Sequence, residues 1–168
     1  MEKGTCRMGM FVRNRIDGFE GCVIGKVYWL FGCDRILLFP KKRSENALVP
    51  NEKVMLSEEL LERVSCEEEW EEKEFVKPDL EKYFGMLCHD KVTGFEGVAI
   101  GCVTSMFSSD SYALEPLAKK NKKLGSYEWF DVGRLEIIER HVTPKQVSVS
   151  RPGGCEFRMS QSLTAALC

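Results

Sequence analysis

The sequence predicts a mainly β protein: two tandem SH3-like small β-barrel modules, related by an internal pseudo-twofold and joined by a short acidic linker of helix or coil. Three observations carry that expectation. The chain repeats itself at a fixed offset of 76 residues, its apolar runs are short and interrupted by glycine, aspartate and proline, and an acidic stretch separates the copies. The boundaries that follow are a first repeat over 7–66, a linker over 67–82, a second repeat over 83–140 and a C-terminal extension over 141–168.

The repeat is read by setting residues 9–40 above residues 85–116, which gives 13 identities in 32 positions. Chance pairing at average composition gives roughly 2. The identities include Gly18-Phe19-Glu20-Gly21 against Gly94-Phe95-Glu96-Gly97, and Val27/Val103, Phe31/Phe107, Asp34/Asp110, Leu38/Leu114 and Pro40/Pro116. Downstream the second copy is two residues shorter, so Leu56-Ser57 falls on Phe130-Asp131 and Leu61-Glu62-Arg63-Val64 on Leu135-Glu136-Ile137-Ile138.

Each copy then reads as a meander. Met10–Val12 and Met86–Cys88 are short strands ending at charged residues, followed by turns at Arg15–Gly18 and Lys91–Gly94 whose glycines accept positive φ. The runs from Gly21 to Phe31 and from Gly97 to Phe107 have strand composition, with Gly25 and Gly101 marking a bulge, a bend or a close approach. Gly32-Cys33-Asp34 and Ser108-Ser109-Asp110 read as the next turns, Arg35–Phe39 and Ser111–Glu115 as returning strands. Val54–Leu56, Trp129–Phe130 and Leu135–Ile138 close the units. Modules this small bury little apolar surface, so packing two copies together is the expected remedy, and Tyr28, Trp29, Leu30 and Phe31 exceed what one thin sheet side can cover.

Hydrophobic residues at 43% and charged residues at 30% exclude wholesale disorder. A net charge of −2 gives no global attraction to nucleic acid or membrane, no run of 18 apolar residues occurs, and the N-terminus lacks a signal-peptide core. A cytoplasmic protein is the expectation, with no membrane partner. Eight cysteines, none in a C-x-x-C pair, read as buried reduced thiols.

Residues 67–82 carry eight acidic and three basic side chains, with Trp70 and Phe75 as docking points and Pro78 as the stop before copy two. The end, Ser162–Cys168, matches neither copy, and residues 157–168 are expected to be removable without loss of folding. The ending Leu163-Thr164-Ala165-Ala166-Leu167-Cys168 resembles the translated edge of an integron cassette recombination site, which implies a mobile genetic origin. Lys91-Val92-Thr93-Gly94-Phe95-Glu96-Gly97 resembles the Val-Thr-Gly-Phe-x-Gly core of short phage and mobile-element proteins, most of them without an assigned function. Those proteins often carry Gly-Cys-x-x-Tyr, a feature split here between Gly32-Cys33 and Tyr112.

The chemistry-bearing residues support three readings. The first is a non-enzymatic binding module holding an unknown protein or small-molecule ligand through the surface between repeats, where Tyr28, Trp29 and Tyr112 supply aromatic area and a homo-oligomer is a further possibility. The second is a nucleic-acid binder, because Lys41-Lys42-Arg43 and Lys119, Lys120, Lys122 and Lys123 occupy the same loop in both copies, near Tyr28, Trp29, Tyr112 and Tyr127. The third is an enzyme using Glu20 and Glu96 as acid and base, set against the alternative that each caps the turn amides of its own module. Cys88-His89-Asp90 cannot readily converge, because neighbours on a strand face opposite ways, and four short-spaced zinc ligands are lacking. No metal or cofactor is expected.

Overall fold

The computed structural model describes residues 6–41, 53–65, 70–118 and 125–147. It divides into two compact units: Met1–Val27, Asp34–Val76 and Ser105–Phe107 in the first, and Tyr28–Cys33, Lys77–Thr104 and Ser108–Cys168 in the second. The architecture is mainly β, and every strand pairing described is antiparallel. No helix among the described residues is long and apolar enough to cross a membrane.

In the first unit, β1 (Phe11–Asn14) turns back into β2 (Glu20–Trp29), β3 (Arg35–Pro40) returns along it, and β4 (Val54–Leu56) and β5 (Leu61–Arg63) follow. β1 lies between β2 and β5, and β3 between β2 and β4, giving the order β5-β1-β2-β3-β4. The period-two pattern places Val12, Val23, Ile36 and Leu38 on one face, each at most 1% exposed. Cys6, Met10 and Leu61 complete that core, and Phe19, Leu56 and Phe75 pack against it. The register of β2 on β3 slips between Val23 and Gly25, which is the bulge the mid-strand glycine signals.

In the second unit a short helix α1 (Leu80–Tyr83) precedes β6 (Met86–Asp90), β7 (Glu96–Ser105), β8 (Ser108–Glu115), β9 (Glu128–Asp131), β10 (Leu135–Arg140) and a last short helix α2 (Pro144–Val147). The Asp79 carboxylate caps α1 by accepting the Lys82 amide at 3.1 Å, so helix begins at the end of the acidic segment, directly before copy two. The strand order is β10-β6-β7-β8-β9, the order of the first unit. Cys88, Ala99, Ala113 and Leu114 are wholly buried at its centre. Tyr112 stacks on Tyr83 at 4.4 Å and donates its hydroxyl to the Asp79 carbonyl at 3.2 Å.

Local structure repeats with the sequence. Gly18 and Gly94 take φ of 74° and 75° at the tips of the first and second units' opening hairpins. Asn14 and Asp90 organise those tips: Asn14 Oδ1 accepts the Ile16 amide at 3.1 Å and Asp90 Oδ2 the Thr93 amide at 2.8 Å. Single 3-10 turns at Glu58–Leu60 and Val132–Arg134 lead directly into β5 and β10.

Two expectations need correcting. Neither unit's strand path closes among the described residues: β4 and β5 remain separate edges, as do β9 and β10, so the sheet is open where a closed barrel was expected. Ser108-Ser109-Asp110 is not a turn. Those residues begin β8, and Met106-Phe107 alone connects it to β7. The physical reason is the partner strand: Ser109 Oγ donates to Asp131 Oδ2 at 2.5 Å and Ser111 registers with Asp131, which holds this polar stretch extended.

Candidate binding site in the second unit

Glu20 and Glu96 do not cap turn amides. Each stands across a hairpin from the basic residue at the matching position, Arg13 for Glu20 and His89 for Glu96. Arg13 donates to Glu20 Oε1 through Nε at 2.9 Å and Nη2 at 2.6 Å, and Lys41 lies 3.4 Å from Oε2. The Arg13 and Lys41 bonds hold the Glu20 carboxyl below its ordinary value. A general acid at neutral pH needs the opposite shift. Glu96 is largely exposed, 3.7 Å from His89 Nδ1.

The aromatic residues selected from sequence are not exposed stacking surfaces. Tyr28, Trp29 and Tyr112 are all buried, at 7%, 8% and 1%. Lys119, Lys120, Lys122 and Lys123 lie outside the described residues, as do Lys42 and Arg43. Lys41 of the first basic cluster is paired with Glu20. Among the described cysteines, Cys6, Cys22, Cys88 and Cys102 are buried and Cys33 is exposed. Burial pushes the Cys88 thiol up to about 11 and the Cys102 thiol up to about 12, away from thiolate reactivity. His89 points away from Cys88 to Glu96, and Asp90 is engaged by Arg134, so the Cys88-His89-Asp90 string is not brought together.

What the second unit does bring together is an aromatic cluster. Tyr127 and Trp129 lie two residues apart, on one face of the β9 region. Trp29 reaches the same place because the Leu30 amide donates to the Ile100 carbonyl at 2.8 Å, laying this segment along β7. The three rings meet edge to face: Trp29 to Tyr127 at 5.7 Å and 69°, Trp29 to Trp129 at 5.9 Å and 65°, Tyr127 to Trp129 at 6.1 Å and 88°. Such pairings contribute about 0.5–1.5 kcal/mol each beyond area burial.

Small residues make room for these rings. A Cβ added at Gly101 would come within 2.8 Å of the Trp29 ring and 3.4 Å of the Ala113 Cβ, and Ala113 registers with Trp129. Gly101 and Ala113 therefore form a flat floor. The first copy has Gly25, Leu37, Lys53 and Met55 where the second has Gly101, Ala113, Tyr127 and Trp129, and the counterpart of Trp29 is Ser105. The hairpin determinants are shared by both copies, whereas the cluster, one ring from the first copy and two from the second, has no aromatic counterpart at the matching positions.

The cluster also carries unmet hydrogen-bonding capacity. Trp29 Nε1, Tyr127 Oη and Trp129 Nε1 are buried without a partner among the described residues, as is Thr104 Oγ1 in the same unit. A buried donor left unpaired costs about 1–3 kcal/mol, so three on adjoining rings is an unusual concentration. Their chemistry is specific: two indole N–H groups only donate, and the phenol and the threonine hydroxyl can donate or accept. No group of three or more potential metal ligands occurs among the described residues.

Sequence reading named Trp29 and Tyr127 but did not join them to Trp129 or Thr104. The spacing of Tyr127 and Trp129 was the available signal. Compared with family models, curated proteins and solved structures, the chain matches none of them.

Proposed function

We propose that the protein is a non-enzymatic binding module, and that the Trp29–Tyr127–Trp129 cluster of its second unit receives a small ligand, or a partner's side chain, bearing hydrogen-bond acceptors on an apolar body. The observation that carries this reading is the set of three unpartnered buried donors on three mutually edge-on rings. Buried polar groups in folded proteins are nearly always paired, and a bound acceptor satisfies these donors while the rings hold the ligand's apolar surface. The absence of an aromatic counterpart supports the same reading, because Ser105, Lys53 and Met55 stand at the positions matching Trp29, Tyr127 and Trp129.

The architecture fits this role in finer terms too. The common strand order and the 76-residue offset support two copies of one SH3-like module, whose divergent residues Trp29, Tyr127 and Trp129 form the site. The Leu-Thr-Ala-Ala-Leu-Cys ending supports a mobile-cassette origin.

The test is a tryptophan-fluorescence titration of the full chain with a panel of small carbonyl, carboxylate and heterocyclic compounds, with native mass spectrometry to detect retained ligand. Saturable quenching that weakens in Trp129→Phe and Tyr127→Phe, with unchanged far-ultraviolet circular dichroism, is the expected result. Equal responses in the variants, or ordered water as the sole partner of these donors in a crystal soaked with the panel, would overturn it.

A further inference from the structure

The two units differ in charge at one set of matching positions. In the first unit Lys26 lies 3.9 Å from Asp34 and 3.5 Å from Glu58, and Arg35 donates through Nη1 to the Ser57 hydroxyl. Arg35 is 7% exposed, so the first unit encloses its own guanidinium there. The second unit has Cys102, Asp110, Ser111, Asp131 and Val132 where the first has Lys26, Asp34, Arg35, Ser57 and Glu58. The second set therefore keeps two carboxylates and no cation.

Asp131 is fixed in place. Its Oδ2 accepts the Ser109 hydroxyl at 2.5 Å and its Oδ1 the Gly133 amide at 3.1 Å, and these bonds hold the carboxyl below its ordinary value, charged at neutral pH. Each oxygen keeps a second acceptor position. Arg134 acts on Asp131 only from a distance, being bonded to both Asp90 oxygens. Asp110 is raised, first by burial and then by the Asp131 charge, so the negative field of the pair is felt within the unit. Ser111 registers with Asp131 as Ala113 does with Trp129. The Ser111–Asp131 pair is thus the next on the same face, about 6.5 Å along the strands from the aromatic cluster.

We infer that Ser111 and Asp131 form a seat for a guanidinium group carried by the second unit's ligand, at the position that Arg35 fills in the first unit. The inference deepens the reading of the Trp29–Tyr127–Trp129 cluster and rests on it only for the remainder of the ligand. A guanidinium fits better than an ammonium, because its planar fork donates to both carboxylate oxygens and stacks on an indole such as that of Trp129, one pair away. A metal ion fits poorly, since no group of three or more potential metal ligands occurs among the described residues.

Titration of the nitrogen-15-labelled full chain with argininamide at low salt tests this, with citrullinamide as the uncharged counterpart and lysinamide as the ammonium. The expected result is a saturable shift of the Ser111 and Gly133 amides by argininamide, absent with citrullinamide and weaker with lysinamide. Asp131→Asn keeps an oxygen for the Gly133 amide and should weaken binding about fivefold, the scale of an exposed ion pair. Ser111→Arg restores the first unit's side chain and should abolish the response while raising the melting temperature. If Ser111→Arg fails to fold, the Asp131→Asn comparison decides alone. Equal responses to argininamide and citrullinamide, lysinamide binding as tightly, or binding unchanged in Asp131→Asn would overturn the inference. Indole signals unmoved by every compound, with the Gly133 response intact and lost in Asp131→Asn, would uphold the seat and count against the cluster reading, so the two fail separately.

Discussion

Asp90 and Arg134 show how one position is solved in two ways. Arg134 donates to both Asp90 oxygens, at 2.8 Å and 2.7 Å, and the Thr93 hydroxyl and amide donate to Oδ2. The Arg134 bonds, followed by those of Thr93, hold the Asp90 carboxyl far below the usual range. The matching residues of the first unit are Asn14 and Leu60, and the backbone bond Lys91 N to Arg134 O has its counterpart in Arg15 N to Leu60 O at the same 3.0 Å. We expect Asp90→Asn to lower the melting temperature at neutral pH. Adding Arg134→Leu should recover part of the loss, because it reproduces the first unit's uncharged arrangement; a double variant no better than the single one would contradict this. Tyr127→Phe should act in the other direction. Deleting an unpartnered buried hydroxyl should raise the ligand-free stability by about 0.5–1 kcal/mol in urea denaturation while lowering ligand affinity.

At the level of elements, the first-unit core and the β7 floor make separate demands. Ile36 is fully buried among Val12, Val23 and Leu38, so Ile36→Ala should cost about 2–5 kcal/mol by urea denaturation. Gly101→Ala should displace the buried Trp29 ring and change tryptophan emission, and it should weaken ligand binding without removing a core contact of the first unit. The hairpins were legible in sequence because their signals are local: a glycine able to take positive φ at Gly18 and Gly94, and apolar alternation on either side. Ser108–Asp110 was misread because serine and aspartate favour turns in isolation, and only Asp131 on β9 holds them extended. The open sheet edges were not legible either, since closure depends on pairing between strands that lie far apart in the chain. The site was half legible for the same reason: Tyr127 and Trp129 share a face by spacing, but their meeting with Trp29 needs the Leu30–Ile100 backbone bond.

For the whole molecule, the acid limb of stability follows from its shifted carboxyls. Asp90, Glu20 and Asp131 are held low, by Arg134, by Arg13 and by the Ser109 hydroxyl respectively. Each contributes stability that is present above its unfolded value, near pH 4, and lost as pH falls through the lower folded value. Asp110 is raised, chiefly by burial, and acts the opposite way, its contribution fading as pH rises through its folded value. Three against one predicts a melting temperature that declines below about pH 4. The same profile should be flatter in Asp90→Asn, and an identical acid limb in that variant would remove Asp90 from the account. The two units share a strand order and a hairpin glycine of positive φ, and the function proposed depends on residues at which the two aligned segments differ. That claim is tested most directly by the indole N–H signals of Trp29, Trp70 and Trp129 in nitrogen-15-labelled protein titrated with a small-metabolite extract. Binding at the cluster predicts that Trp29 and Trp129 shift together while Trp70 stays fixed; both cluster signals remaining unmoved across the titration would contradict it.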